Sequence, residues 1–268
     1  MTREIRSAQL STGPKLPYVE QGDNSGTPVL FLHAYVESWR FFERLLPHLP
    51  RSIHAFVPTQ RGHGDADRPP SGYRIEDFSG DLSAFMDEVG LEAAVLGGSS
   101  SGGYVAQRFA LDHPERTLGL ALIGAPRSLG DKPAVAEFLE AVRELSDPVD
   151  QAFARAFLES GLSRPLPSAV LAALVVESCK APAHVWKAAL EGLLEAVPPT
   201  ETGTITAPTL ILWGDRDHFL PRSDAEGLAA AIPGSRLESY EGTGHLVLLE
   251  EPERVAADVV SLAERIMQ

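Results

Sequence analysis

The sequence predicts an α/β fold: a mostly parallel, eight-stranded sheet with helices on both faces and an all-helical cap inserted after the sixth strand. Three observations carry this. Short runs dense in aliphatic residues alternate with segments whose apolar residues recur every three or four positions, the pattern of strands and helices alternating along a parallel sheet. The apolar runs are nearly continuous, as strands covered on both faces require. The alternation stops between residues 127 and 204 and then resumes.

Taken in order, "IRSAQLSTG" and "LPYVEQGDNSG" read as two N-terminal strands joined by a turn. "PVLFLH" (28–33) and "SIHAFVP" (52–58) follow as buried strands, with "WRFFERLLPHL" as a helix between them. "IEDFSGDLSAFMDEVG" has helical spacing and ends at glycine. "AAVLGG" (93–98) is the next strand, "GGYVAQRFALDHP" a helix that stops before proline, and "LGLALIG" (118–124) the sixth strand. Only helical stretches come next: "PAVAEFLEAVREL", "PVDQAFARAFLESG", "PSAVLAALVVESCK" and "PAHVWKAALEGLLEAV". Each is opened by proline, which suits a first helical turn. Strand character returns at "PTLILWG" (208–214), and a further strand, "SRLESYE", precedes a C-terminal helix. The predicted division is a core of residues 1–126 and 205–268 with a helical cap of 127–204.

Bulk properties bound the function. A chain of 268 residues, 44% hydrophobic and 22% charged, suits one globular domain carrying an insertion. The net charge of −14 repels phosphate and argues against nucleic-acid or anionic-membrane partners. The single cysteine, Cys179, excludes an internal disulfide and a multi-cysteine zinc site. The opening "MTREIRSAQL" lacks the apolar core of a signal peptide, and no apolar run approaches the ~18 residues of a membrane span. A cytoplasmic protein is expected.

The chemistry centres on "VLGGSSSGGYVAQRFA" (95–110). Three adjacent serines among glycines could form a linker, a phosphate-binding turn or the seat of a nucleophile. A linker would not be wedged between two buried elements, and no lysine follows as a phosphate loop requires. Gly-x-Ser-x-Gly fits one register only, Gly98-Ser99-Ser100-Ser101-Gly102. Small residues two before and two after let strand and helix approach closely around a strained turn, so Ser100 is the nucleophile. A serine needs a base, and the base an orienting carboxylate. Of eight histidines, His245 stands in a glycine-flanked loop, "YEGTGHLVLLEEPERV", between a strand and the C-terminal helix. For the acid, "LILWGDRDHFLP" offers Asp215 and Asp217 just past a buried strand. One is a turn former and the other orients His245.

Five blocks in order, "VLFLHAYVESW", "RGHGDADRPPSGYRIEDFSGDL", "LGGSSSGGYVAQRFALDHPERTLGLALIGA", "PTLILWGDRDHFLP" and "YEGTGHLVLLEEPERV", make the chain resemble the α/β-hydrolase family over nearly its whole length. The resemblance implies Ser100 as nucleophile, His245 as base and Asp217, the second aspartate of "GDRD", as acid. "LIGAPRS" carries no carboxylate, which closes the family's alternative position for the acid. The oxyanion donors would be the N–H of Ser101, at a helix start, and by resemblance that of Tyr35. The family's usual His-Gly is here His33-Ala34, with Val36 where many relatives have proline, and His33 is expected to be a structural hydrogen-bonding residue.

The resemblance implies an acyl-enzyme route to ester or lactone hydrolysis, acyl-homoserine lactones included, with no metal or organic cofactor. Serine at position 100 argues against the carboxylate-nucleophile epoxide hydrolases and dehalogenases, despite their similar "ESW" and cap. Carbon–carbon bond hydrolases and cofactor-free perhydrolases use the same triad. A non-catalytic ligand receptor is the third alternative, disfavoured by an intact triad. Candidate pocket residues are Val36, Trp186, Phe219 and Leu246, with Leu171, Leu174 and Val175 of the cap. Each cap residue, taken singly, is better explained by packing. The expected partner is a small neutral, mainly apolar ester or lactone.

Overall fold

The computed structural model describes residues 3–267. Eight strands form one sheet: β1 (Arg6–Gln9), β2 (Lys15–Gln21), β3 (Thr27–Leu32), β4 (Ile53–Pro58), β5 (Ala94–Ser99), β6 (Thr117–Ile123), β7 (Thr209–Gly214) and β8 (Arg236–Tyr240). Their order is β1-β2-β4-β3-β5-β6-β7-β8, with antiparallel pairing only for β1–β2 and β2–β4. Every residue of β4, β5 and β7 is buried, whereas the edge strands β1 and β8 are largely uncovered. That contrast is why the central runs are continuously apolar and the edges are not.

Helices α1 (Ile75–Glu88) and α2 (Ser101–Asp112) pack together, with α2 against β5 and β6, while α10 (Pro252–Ile266) lies on β6 and β3 from the other face. The stretch 39–49 is not the expected helix. It forms two short 3₁₀ turns, Trp39–Phe42 and Leu46–His48. Its bonds run to the third residue back, as from Leu45 N–H to the Phe42 carbonyl at 2.9 Å and from His48 N–H to that of Leu45 at 3.0 Å. Pro47 has no N–H to give the Glu43 carbonyl, so a continuous α-helix would lose a bond there. Trp39, Phe41, Phe42, Leu45 and Leu46 are all buried, wider coverage than one helical stripe provides.

Between β6 and β7 lie five helices and no strand: α3 (Pro133–Arg143), α4 (Gln151–Ser160), α5 (Ser168–Ser178), α6 (Ala183–Glu195) and α7 (Pro199–Thr202). Pro133 begins its helix, but Pro167 and Pro182 are N-caps, and α4 is capped instead by Asp150, whose carboxylate accepts the Ala152 N–H at 2.7 Å. The nearly all-apolar α5 buries Leu171, Leu174 and Val175 but leaves Val176 half exposed. Helix α8 (Arg222–Ala231) joins β7 to β8, and α9 (Val247–Glu250) leads into α10. No single helix among the described residues is long and apolar enough to cross a membrane.

A buried ion pair ties the loop after β4 to α1. Arg61 donates to both carboxylate oxygens of Asp81 at 2.6 Å and to the Gly72 carbonyl at 2.8 Å. Removing one partner strands a buried charge, whereas replacing both with apolar residues does not. Asp81→Ala should therefore lower the urea-measured unfolding free energy by about 3–5 kcal/mol. The Arg61→Met/Asp81→Leu double variant should lie closer to wild type than Asp81→Ala does. A double variant weaker than the single one would contradict this.

Candidate active site

The site begins where β5 turns into α2. Ser100 has φ 48° and ψ −118°, a left-handed conformation that costs a non-glycine residue about 1–3 kcal/mol. Its N–H donates to the Ile123 carbonyl of β6 at 2.9 Å, and its own carbonyl accepts the Tyr104 N–H at 3.1 Å. The flanking glycines are steric necessities. A Cβ on Gly98 would fall 2.5 Å from the Gly102 carbonyl oxygen. One on Gly102 would strike the Leu32 carbonyl oxygen and lie 2.6 Å from that of His33. The spacing thus records how closely β5, α2 and the end of β3 meet.

Two more loops at the same end of the sheet complete the arrangement. The loop after β8 presents His245, whose Nε2 lies 2.9 Å from Ser100 Oγ. The loop after β7 presents Asp217, whose Oδ2 lies 2.7 Å from His245 Nδ1. Its other oxygen accepts the N–H groups of Phe219 and Leu220, both at 2.8 Å, so the carboxylate is fixed from three sides. With the proton on Nδ1, Nε2 is left to accept from the serine hydroxyl. Asp215 instead accepts the Gly242 N–H at 2.7 Å and organises the turn.

The His245 loop is stitched to the cap. Leu246 N–H donates to the Gly161 carbonyl at 3.0 Å. Glu250, whose side chain is buried, gathers the N–H of Gly244 at 3.0 Å and the N–H and hydroxyl of Ser163 at 2.8 and 2.6 Å. Phe219 stands edge-on to the imidazole, ring centres 5.2 Å apart.

Ser100 and His245 open onto a cavity between cap and sheet, which Tyr35, Ser101, Phe219 and Leu246 also line. Much of its wall is Val135, Phe138, Phe157, Leu158 and Leu193 of the cap helices. Among the described residues no lysine or arginine lines it. Asp217 stands behind the histidine. Val36 and Trp186 do not line this cavity. Val36 is fully buried with φ 56°, rare for a β-branched residue and inaccessible to proline. Trp186 is fully buried against the rings of Tyr35, Phe153 and Phe157. Leu171, Leu174 and Val175 are likewise buried away from it. The lining from α3 and α4 was missed because an apolar helical stripe has the same period whether it faces a core or a cavity.

The loop after β3 is held from both sides. His33 Nδ1–H donates to the Ala34 carbonyl at 2.8 Å, and Nε2 accepts the Gln60 N–H at 2.9 Å. Burial, reinforced by neighbouring His63, holds the His33 pKa well below its ordinary value, so the ring is neutral and structural. The Tyr35 hydroxyl donates to the Trp186 carbonyl of α6, and burial pushes that phenol upward.

The fold and site together define an α/β protein with a serine–histidine–aspartate hydrogen-bond chain at one end of its sheet. A model of the alpha/beta hydrolase family matches residues 29–258, and the chain belongs to that family. It is 26% identical to lipase 1 of Psychrobacter immobilis, over 94% of this chain and 82% of that one. It is also 26% identical to haloalkane dehalogenase 2 of Mycobacterium bovis, over 93% of this chain and 92% of that one. Among solved structures, an esterase from Exiguobacterium antarcticum superposes with a TM-score of 0.85 at 25% identity, covering 96% of this chain and 98% of the other.

The packing at the turn yields a paired prediction. Gly102→Ala should destabilise the protein by about 1–3 kcal/mol or more, since backbone must move to admit the methyl. Gly80, within α1, has nothing within 4 Å of its would-be Cβ. Gly80→Ala should stabilise by up to ~1 kcal/mol. Urea denaturation of both checks the pair; equal stability for the two variants would contradict the steric account.

Proposed function

We propose that this protein is a serine hydrolase of carboxylic esters or lactones that is acylated on Ser100. The observation that carries this is the continuous chain from Asp217 through His245 to Ser100 at 2.7 and 2.9 Å, opening onto an apolar cavity. The lipase and the dehalogenase are equally identical to this chain, so identity does not choose between their chemistries. The residue at the turn supports ester chemistry. A serine there forms an acyl ester that water can cleave, whereas halide displacement in that branch uses a carboxylate.

In this mechanism Ser100 Oγ attacks the substrate carbonyl as His245 Nε2 takes its proton. Asp217 stabilises the imidazolium through Nδ1–H. The backbone N–H groups of Tyr35 and Ser101 receive the oxyanion; the first N–H groups of a helix have no acceptor within it, which frees that of Ser101. The bonds fixing His33, together with the buried Val36, hold the Tyr35 peptide in place. His245 returns the proton to the leaving alcohol, then activates water against the acyl-enzyme. Ser100 is regenerated, and no cofactor enters the scheme. A lactone is a cyclic ester and follows the same steps, acyl-homoserine lactones among them.

The testing experiment is fluorophosphonate labelling with peptide mapping, alongside a panel of p-nitrophenyl esters and lactones. Labelling should fall on Ser100 and vanish in Ser100→Ala; an adduct on Ser99 or Ser101 would overturn the assignment. Asp217→Asn should lose turnover by as much as ~10,000-fold, as in serine proteases whose histidine is held in the wrong tautomer. Asp215→Asn should lose far less. Equal losses with both proteins folded would contradict the roles given to the two aspartates.

The cavity also sets a preference. Each buried methylene gains roughly 0.8 kcal/mol, and burying an unpaired carboxylate costs several kcal/mol. Lengthening a neutral acyl chain from acetyl to hexanoyl should raise kcat/KM, and a succinyl ester should be slower than its neutral counterpart of equal length. Faster turnover of the anionic ester would show that a cation serves the site.

A further inference from the structure

One charged residue type interrupts the apolar wall of the cavity. Glu37, in the loop after β3, lines it together with Ser100 and the cap phenylalanines, yet is only 1% exposed. Its Oε1 lies 3.3 Å from Ser178 Oγ, and that hydroxyl is nearer, at 3.0 Å, to the Leu174 carbonyl oxygen. One hydroxyl proton is thus divided between two acceptors. Glu37 Oε2 has no partner at all, although it is buried. Buried polar atoms in native proteins are overwhelmingly paired, so an orphan beside a cavity requires an account.

The surroundings decide what this carboxyl can offer. Glu177 of α5 is its acidic neighbour and already holds the local cations: Arg40 Nε at 3.3 Å and Lys180 Nζ at 2.8 Å. Among the described residues no cation pairs with Glu37 itself. Burial, opposed by the Ser178 bond and helped less by the Glu177 charge, holds the Glu37 carboxyl well above its ordinary range, which favours its protonated form. With the Ser178 hydroxyl facing Oε1, Oε2 is the oxygen left free to carry that proton.

We infer that Glu37 Oε2–H donates a hydrogen bond to the acyl part of the substrate, selecting acyl chains that carry a neutral acceptor oxygen, such as a ketone or ether, at a set distance from the scissile carbonyl. This rests on the reading of Ser100 as the acylated serine and narrows its substrate class. A purely alkyl chain leaves the donor unsatisfied, and an anionic group finds no counter-charge. An acceptor oxygen at the right carbon satisfies it while the rest of the chain stays in apolar surroundings.

The test compares p-nitrophenyl esters of straight alkanoic acids with oxoalkanoic esters of equal length, the ketone moved one carbon at a time. In wild type one oxo position should exceed its alkyl parent about tenfold in kcat/KM, through a lower KM with little change in kcat. Glu37→Leu should erase that preference and favour the alkyl parent. Glu37→Gln, which keeps an N–H donor at nearly the same place, should retain a preference at the same carbon. Thermal melting and fluorophosphonate labelling establish that each variant is folded with a competent serine. The inference is overturned if no oxo position gains on its parent in wild type, or if the gain survives in Glu37→Leu. Failure of any ester to turn over, or of Ser100 to be labelled, would instead defeat the underlying hydrolase reading.

Discussion

The site depends on how closely β5, β3 and the first turn of α2 approach one another. At Gly98 and Gly102 the backbones leave no room for a methyl group, and between them Ser100 is held at positive φ with its N–H bonded to β6. A wider turn would relax the serine into ordinary backbone and draw its hydroxyl away from the histidine. The strain persists because buried strands on both sides over-determine it. The same compression brings the start of α2, with its unpaired N–H groups and positive dipole end, next to the loop that carries Tyr35.

His245 and Asp217 stand on loops from separate strands, and each loop is fixed by bonds outside the serine–histidine–aspartate chain. Asp217 is oriented by two backbone donors, and the His245 loop by Glu250 and the cap segment 161–163. The cap is therefore more than a cover. Movement of its α4–α5 connection would strain the loop that carries the imidazole, coupling access to the cavity with the position of that ring.

Much of this was legible in the sequence, for identifiable reasons. Continuous apolar runs mark doubly covered strands whatever the tertiary context, and the central strands fell where such runs placed them, while the polar edge strands β1 and β8 were bounded by their flanking turns. Gly-x-Ser-x-Gly singled out Ser100 because the steric demand acts on residues adjacent in sequence. The helix expected at 39–49 failed on Pro47 and on near-complete burial of its aromatics, which a three-four spacing does not reveal. The cavity wall was the least legible. Trp186 and Val36 are buried behind it, while Phe138 and Phe157 of the cap form it, a distinction set by how the cap helices lean on the core. Glu37 stood in view within "ESW", but that no cation among the described residues pairs with it is a three-dimensional fact.

Pre-steady-state release of p-nitrophenol tests the central claim, attack by Ser100 through His245, most directly. With an ester whose acyl chain fits the cavity, the account predicts a burst approaching one equivalent per chain, followed by slower deacylation. Acid quenching during that phase should leave the acyl mass on the peptide containing Ser100. Release with no covalent acyl species at any time, or acylation of a different residue, would contradict the account.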